Sequence, residues 1–366
     1  GKYTLVKMRQ RFGGARLPEV RIVDMRGETG NGNLSPLGEE LAHEVARVKD
    51  GGDQSVLFLN RRGYSHQTVC RSCGKAISCP RCSVAMNYHV RRFGGEGELV
   101  CHWCGHRAPL PTECPACHSP HLARQGFGTQ RVEEELEALL PKARVLRMDT
   151  DTASAKFSYD RMLGAFRAHE ADVLLGTQMV TKGHDFPDVT LVGVLMADSS
   201  LYLDDYRAAE RTFAMLTQVI GRAGRGKREG RAIIQTTNPD SEIIRLACEQ
   251  DYETFYEREI RLRRLLVFPP FCDIAVITLA SRDEALLSGA TVRLREWVRD
   301  AVSGPYSDLK LMIFGPFEAP VYKIQGVCRN RMVIKCRLNR RSREMLAHIL
   351  TDFGKNAGKR LSISVD

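Results

Sequence analysis

Eight of the twelve cysteines fall into four CxxC pairs, Cys70/Cys73, Cys79/Cys82, Cys101/Cys104 and Cys114/Cys117, with spacers of five, eighteen and nine residues. Zinc prefers four thiolates in a tetrahedron, and one CxxC turn delivers two of them, so these ligands suffice for two closed Zn(Cys)₄ sites. Turn-forming or small residues lie within or just after the pairs: Ser72 and Gly74, Pro80, Gly105, Pro115 and Ala116. Closed four-ligand sites hold structure; an open three-ligand site beside a general base, as a zinc hydrolase needs, is not visible. A redox role is open to a CxxC in general, but two closed sites consume all four turns. His102, His106, His118 and His121 could compete as ligands, yet eight thiolates leave them no vacancy. Pairing is not fixed by spacing. A sequential site would join Cys70/Cys73 with Cys79/Cys82. A nested arrangement joins Cys70/Cys73 with Cys114/Cys117 and Cys79/Cys82 with Cys101/Cys104, and an insertion that must end near where it began favours nesting.

A second chemistry-bearing segment is Gln218-Val-Ile-Gly-Arg-Ala-Gly-Arg225. Phosphoryl transfer needs fixed positive charge where negative charge spreads in the transition state. Arg222 and Arg225, three apart across glycines, can aim two guanidinium groups the same way, with the glycines expected to let backbone approach an adjacent domain. The plainer reading is a solvated basic turn after a helix; the upstream segment Thr177 to Asp185 weakens it. Two look-alikes fail. Gly221 to Lys227 matches the start of a P-loop, but Arg228 stands where the magnesium-binding hydroxyl belongs, and the segment follows a helix, not a strand. Leu191 to Asp198 looks like a Walker B strand without the second acidic residue. No Walker A motif occurs in the chain, so ATP binding of the usual P-loop kind is not expected from it.

The elements that must position these residues read as alternating strands and helices. Strands are expected at Glu19–Asp24, Ser55–Leu59, Arg144–Met148, Asp172–Gly176, Thr190–Met196 and Arg231–Thr236. Helices are expected from the Ser35-Pro36 start signal through Val48, then at Thr129–Leu140 with Val132, Leu136 and Leu139 inward, Ser158–His169, Asp204–Ile220 and Ser241–Leu266. This pattern predicts an α/β unit with a mostly parallel sheet, interrupted by the cysteine module. Pro269-Pro270 marks a boundary. Beyond it the order β-α-β-β-α-β follows: a strand from Asp273, a helix at Asp283–Val302, strands at Leu309–Phe314 and Arg331–Arg337, a helix at Arg343–Phe353 and a strand at Arg360–Val365. That is the split βαβ pattern of small α+β sandwiches. The domains are therefore read as 1–68 and 121–267 (the interrupted α/β unit), 69–120 (the insertion) and 268–366.

The 366 residues are 43% apolar and 27% charged, ordinary globular proportions, with a formal net charge of +10 that suits a polyanionic partner. No apolar run is long enough to span a bilayer, and no membrane role is expected. Clustered CxxC pairs without a secretory signal point to reduced thiolates in a cytosolic compartment. Cys248, Cys272, Cys328 and Cys336 lie among apolar residues and read as small buried hydrophobes. The first residue is Gly1, not Met, so the sequence is read as a piece of a longer protein.

Three segments, Val56-Leu-Phe-Leu-Asn-Arg-Arg-Gly63, Gly176 to Leu191 and Thr217 to Arg225, resemble helicase motifs IV, V and VI. With the eight-cysteine insertion, they make the chain resemble the bacterial primosomal DNA helicases, the PriA family of superfamily 2. The resemblance implies a RecA-like second helicase lobe, an inserted two-zinc module and an α+β C-terminal domain. The first lobe, with its Walker A and DEAH-like Walker B boxes, and the N-terminal DNA-binding domains would lie outside this chain. It implies that the whole protein uses ATP and magnesium to unwind DNA 3′-to-5′ at stalled forks, restarts replication and directs primosome assembly, whereas the chain alone does not hydrolyse ATP. By motif position Arg222 and Arg225 are the γ-phosphate arginines with Gln218 nearby; Gly183 and Asp185 lie at the nucleotide edge and Thr177 near the DNA backbone. Arg61 and Arg62 are candidates for DNA or interlobe contact, with a solvated turn as the alternative. Implied partners are forked and single-stranded DNA, single-stranded-DNA-binding protein, primosome proteins and the replicative helicase loader, met in the cytoplasm at the nucleoid. The basic run Lys335, Arg337, Arg340, Arg341 and Arg343 suits DNA or protein. The competing function is a non-enzymatic, zinc-dependent DNA- or protein-binding adaptor, which has no use for Arg222 and Arg225.

Overall fold

The computed structural model describes residues 4, 6, 16–30, 35–60, 67–70, 77–81, 86–89, 97–100, 106–120, 122–125, 128–149, 156–177, 186–202, 205–226, 228–356 and 360–366. The chain forms two compact units, one of residues 1–64 with 127–257 and the other of 65–126 with 258–366. In order, the first elements are β1 (Glu19–Asp24), α1 (Met25–Gly30), α2 (Glu39–Asp50) and β2 (Gln54–Leu59). Five short strands follow: β3 (Gln67–Cys70), β4 (Asn87–His89), β5 (Glu98–Val100), β6 (Arg107–Pro109) and β7 (Leu122–Gln125). The α/β pattern then resumes with α3 (Thr129–Leu139), β8 (Val145–Met148), α4 (Lys156–Arg167), β9 (Val173–Gly176), β10 (Val189–Leu195), α5 (Ala208–Ile220), β11 (Arg231–Thr236), α6 (Glu242–Glu249) and α7 (Tyr252–Leu265). The last elements are β12 (Asp273–Ser281), α8 (Glu284–Ser303), β13 (Met312–Ile324), β14 (Val327–Cys336), α9 (Arg340–Asn356) and β15 (Leu361–Val365).

The first unit is a six-stranded sheet in the order β1-β11-β10-β2-β9-β8, every neighbouring pair parallel. Its central strands are continuous apolar runs because both faces are covered. Leu41, Val45 and Val48 of α2 and Val132 and Leu136 of α3 close one face. Leu163 and Phe166 of α4 and Phe213, Leu216, Val219 and Ile220 of α5 close the other. Each such side chain, fully buried, stabilises by roughly 1.5–3 kcal/mol.

Several expected boundaries shift for local reasons. Ser35-Pro36 does not start α2: Ser35 Oγ accepts from the Leu37 N–H in a turn, and the helix begins after Gly38. Leu139 is 48% exposed. The inward row of α3 runs Val132, Leu136 and then Leu140, four residues apart, so Leu139 falls off it. The helix expected from Asp204 starts at Ala208, after a 3₁₀ turn at Ser199–Tyr202 and a turn in which Asp205 accepts from the Arg207 N–H. The single helix expected over 241–266 is two, because Gln250 takes a left-handed conformation (φ 54°) that ends α6.

In the second unit the C-terminal sheet is antiparallel, in the order β13-β14-β12-β15. The second and third strands in chain order are longer than the sequence pattern indicated: β13 and β14 form one hairpin turned at Gln325-Gly326, with register shifts in β13 that blur its alternation. Helices α8 and α9 cover one face, packing Leu287, Ala290, Leu294, Met345 and Ile349 onto Ala275, Ile277, Met332 and Ile334. The cysteine module carries a five-stranded antiparallel sheet, β6-β5-β4-β3-β7. Among the described residues its buried core is Ile77, Cys79, Met86 and Leu99, joined by Ile324 from the β13–β14 hairpin. The Gly326 N–H at the hairpin turn donates to the Arg81 carbonyl at 3.1 Å, so the hairpin tip is seated on the module.

Candidate functional site

In parallel α/β sheets the carboxyl ends of the strands are the usual ligand edge. Here that edge is tied together by polar side chains. Asn60, which ends β2, is 3% exposed and donates from Nδ2 to the Ala197 carbonyl (2.9 Å) and to Ser200 Oγ (3.0 Å). Asp198 accepts from Thr236 Oγ1 (2.9 Å) and Thr237 Oγ1 (2.6 Å), so the look-alike of a Walker B carboxylate serves as a brace. Thr177 follows β9 directly at this edge and is half-buried. Arg61 and Arg62, which follow the braced Asn60, lie outside the described residues, as do Gly183 and Asp185.

The arginine segment sits at the opposite edge. The apolar residues of α5 hold its axis against the sheet, and the helix ends at Gly221 in a turn over 221–224. The Gly224 N–H donates to the carbonyl of Val189, the first residue of β10, at 3.1 Å. Gly224 has φ +67°, and a Cβ there would meet Gly230 N at 2.5 Å; a Cβ on Gly226 would lie 2.2 Å from the Pro187 carbonyl oxygen. These glycines therefore admit backbone of the same lobe. We expect Gly226→Ala to destabilise the lobe by about 2 kcal/mol or more, because the clash is with backbone. A lowered thermal midpoint in circular dichroism would show it, and an unchanged midpoint would refute the packing argument.

The two arginines occupy different surroundings. Arg222 is 7% exposed. It lies near enough to Tyr159 of α4 for its charge to oppose the upward push that burial gives the phenol. Arg225 is exposed and donates from Nε to the Gly221 carbonyl at 2.9 Å, which folds its side chain back along the turn. Gln218 is exposed on α5, one turn earlier. Tyr159 was not legible as a neighbour of Arg222, since only the pairing of helices along the sheet brings α4 beside the end of α5.

Because β9 and β10 are parallel in one sheet, the chain from Thr177 to Val189 must return from the carboxyl edge to the amino edge. It re-enters the described structure at Phe186, buried edge-on against Phe166 (centroids 5.0 Å apart) with the Arg167 guanidinium over its ring at 5.7 Å. Phe186 thus shares an edge with Gly224 and Gly226, and Thr177 lies at the other edge. A cleft of ≈ 790 Å³ at the amino edge is lined by charges that are largely compensated. Arg228 pairs there with Asp53, and Arg231 with Glu19 and Glu44; Glu44 is held below the usual glutamate range chiefly by Arg47.

In the module Cys79 and Cys114 are buried and Cys117 is exposed. The described part of Cys70 is its backbone, paired with Leu122. Cys73, Cys82, Cys101 and Cys104 lie outside the described residues. Two CxxC turns carry the hydrogen bonds expected of metal-binding thiolates: the Arg81 N–H donates to Cys79 Sγ and the Ala116 N–H to Cys114 Sγ, each at 3.4 Å. Such donors stabilise the ionised thiolate that a metal requires. The other cysteines differ. Cys272, Cys328 and Cys336 are buried, and burial raises their thiol pKa values. Cys248 is half-buried and its thiol is pushed up to about 12. Among the described residues no helix is long and apolar enough to cross a membrane.

Three family descriptions match successive parts of the chain. "Helicase conserved C-terminal domain" matches residues 127–227, "PriA DNA helicase Cys-rich region (CRR) domain" residues 79–109, and "Primosomal protein N C-terminal domain" residues 264–366. The replication restart protein PriA of Bacillus subtilis (strain 168) is 43% identical over 367 residues, covering 100% of this chain and 44% of that protein. Its namesake from Synechocystis is 43% identical, covering 73% of this chain and 32% of the relative. That of Treponema pallidum is 36% identical, covering 97% and 52%. The chain thus spans about half the length of these relatives, or less. The parallel-sheet unit is an α/β lobe of the RecA-like helicase type, and the cysteine module is of the zinc-ribbon kind. Along its whole length the chain belongs to the PriA family, matching the C-terminal half of its relatives.

Proposed function

We propose that this chain is the second motor lobe, zinc module and C-terminal domain of an ATP-dependent, 3′-to-5′ superfamily 2 DNA helicase. In the whole protein it would restart stalled replication forks and direct primosome assembly. The observation that carries the reading is the Gln218–Arg225 turn, pinned at the amino edge of a RecA-like sheet whose carboxyl edge holds Thr177. We assign Arg222 and Arg225 to the γ-phosphate, with Gln218 beside them, and Gly183 and Asp185 to the nucleotide edge. Thr177, Arg61 and Arg62 are assigned to DNA at the other edge. The segment between Thr177 and Phe186 would then link the ATP side to the DNA side. ATP and magnesium belong to a first lobe with a P-loop; this chain contributes the arginines.

The division 1–68, 69–120, 121–267 and 268–366 is retained for the proposed domains. Two structural zinc ions in nested pairs suit the module's sheet. The Cys70 backbone lies across from Leu122, just past Cys114/Cys117, and the β4–β5 hairpin lies between Cys82 and Cys101. Bound there, zinc supplies thiolate bonds that hold the turns and no reactivity. Partners in this reading are forked DNA, single-stranded-DNA-binding protein, primosome proteins and the helicase loader, in the cytoplasm at the nucleoid.

The test compares DNA-stimulated ATP hydrolysis by this chain and by the whole protein. The expected result is negligible turnover by the chain and robust turnover by the whole protein. Robust turnover by the chain alone would contradict an active site shared between lobes, and absence of turnover in both would favour a non-enzymatic adaptor.

A further inference from the structure

We infer that the open face of the C-terminal sheet is a stacking surface for unpaired bases of single-stranded DNA, centred on Phe314 and Phe317. The inference rests on the DNA reading above and specifies a surface and a form of DNA within it.

Alternation along the strands settles which residues face outward. Residues directly opposite in antiparallel strands share a face, and the register sets Met312, Lys335 and Ile274 in one row, Phe314, Val333 and Val276 in the next, and Phe317, Arg331 and Thr278 in the third. Their alternates, Ala275, Ile277, Met332 and Ile334, are buried under α8 and α9, so these rows lie on the helix-free face. Phe314 is 41% and Phe317 40% exposed, both on the outermost strand.

The rings are set among cations. The Arg331 guanidinium lies over Phe317 at 5.1 Å, and Lys335 Nζ sits 3.5 Å from the Phe268 ring centroid and 5.4 Å from that of Phe314. Lys335 is 8% exposed and donates to the Leu266 carbonyl at 2.8 Å, so it is held on the same face beside the rings. Arg329 continues the row of alternate cations along β14, about 7 Å per step. Beyond the end of β12, exposed Arg282 and Arg360 line a cleft with Ser281 and Ser362. The carboxylate of Asp283 in that cleft is engaged as the cap of α8, accepting from the Leu286 N–H. Asp366, whose backbone pairs with Val276, carries the carboxylate at the far edge of the face.

Charge and shape together select the occupant. An apolar protein surface laid on the rings would strip water from the neighbouring guanidinium groups without compensation. A polyanion compensates them. Bases within a duplex already have both faces stacked, so a ring can accept a base only from an unpaired strand. Two rings on a four-stranded sheet suit two or three nucleotides, with phosphates led toward Arg331, Arg282 and Arg360. Most of the basic run in the sequence is engaged by other protein groups. Arg340 pairs with Glu344, Arg341 with Asp308 and Glu344, Arg337 donates to the Pro270 carbonyl, and Lys335 is covered by Phe268 and donates to the Leu266 carbonyl, which leaves Arg343 exposed on α9.

The test is fluorescence anisotropy of the complete 366-residue chain with a labelled short oligothymidylate and with a blunt duplex. Phe314→Ala and Phe317→Ala should each weaken single-strand binding by about tenfold. The salt slope should be unchanged, because neither substitution removes a cation. Arg331→Gln should lower that slope by about one phosphate contact. Both phenylalanines are exposed, so the variants should keep the parent's melting temperature, and Phe317→Tyr should retain affinity. Unaltered single-strand affinity in the double variant would overturn this surface while leaving the DNA reading in place. Equal loss on duplex and single strand would overturn the stacking claim, and loss of self-association without loss of DNA affinity would assign the face to a second copy of the chain. Failure of the unaltered chain to bind any DNA would overturn both readings.

Discussion

Arg225→Ala in the whole protein is expected to lower DNA-stimulated ATP turnover by about 10²–10³-fold, or roughly 2.7–4 kcal/mol of transition-state stabilisation, while DNA affinity stays nearly intact. The magnitude follows from what a pre-set guanidinium does: it meets charge that develops only as the γ-phosphoryl group leaves, with no reorganisation at that moment. The turn is built to hold such a group still. Gly224 and Gly226 seat it against Gly230 and Pro187, the Gly224 N–H ties it to β10, and Arg225 is folded back onto Gly221. Arg225 is exposed, so its loss should cost the fold about 0.5 kcal/mol or less, which separates chemistry from stability. Arg222 is a less clean probe because it is buried beside Tyr159, and its removal also perturbs packing. The measurement is steady-state ATPase with saturating single-stranded DNA, alongside DNA affinity without nucleotide. Turnover at the parent's level in Arg225→Ala would remove the segment from the reaction and return the adaptor reading to first place.

How much of this was legible depends on which physical signal carried it. The parallel sheet was readable because strands covered on both faces must be continuous apolar runs, as in Ser55–Leu59 and Val189–Leu195. The arginine turn was readable because few roles require two arginines across glycines at a helix end. What those glycines touch was not readable. Sequence shows that backbone must come close at Gly224 and Gly226, but not whose backbone, and it proved to be the lobe's own. The short strands of the module carry three or four residues each, too few for a two-residue period to stand out in the sequence. The open face of the C-terminal sheet was hidden for a different reason. Exposed Phe314 and Phe317 interrupt the alternation that would have marked β13, and the register shifts after Phe314 break its period. Helix ends failed where one residue's conformation decides, as at Gln250.

Zinc removal should unfold the module and loosen one distant point, the tip of the β13–β14 hairpin. Among the described residues the buried apolar cluster of the module is Ile77, Cys79, Met86 and Leu99, too small to fix five strands by itself. Structural zinc contributes on the order of 10–16 kcal/mol per site, and where the apolar core is this small that free energy is the folding free energy. Elemental analysis should find two zinc ions per chain, and chelation should release eight reactive thiols, while Cys248, Cys272, Cys328 and Cys336 stay slow because burial keeps them protonated. Hydrogen exchange should then accelerate across β3 to β7. It should also accelerate at Gly326, whose N–H has its acceptor on Arg81, and around Ile324, which packs on the module. The hairpin base near Met332 and Ile334 is anchored under α8 and α9 and should keep its protection, as should β2 and β10 of the motor lobe. The pattern discriminates between ideas. Zinc as a reaction centre would leave exchange unchanged while abolishing a reaction, and an autonomous module would keep its strands without metal. One zinc ion or none, or full protection after chelation, would refute the two-site account. Loosening confined to the module and the hairpin tip would show that metal-held turns brace the C-terminal sheet through Arg81 and Ile324.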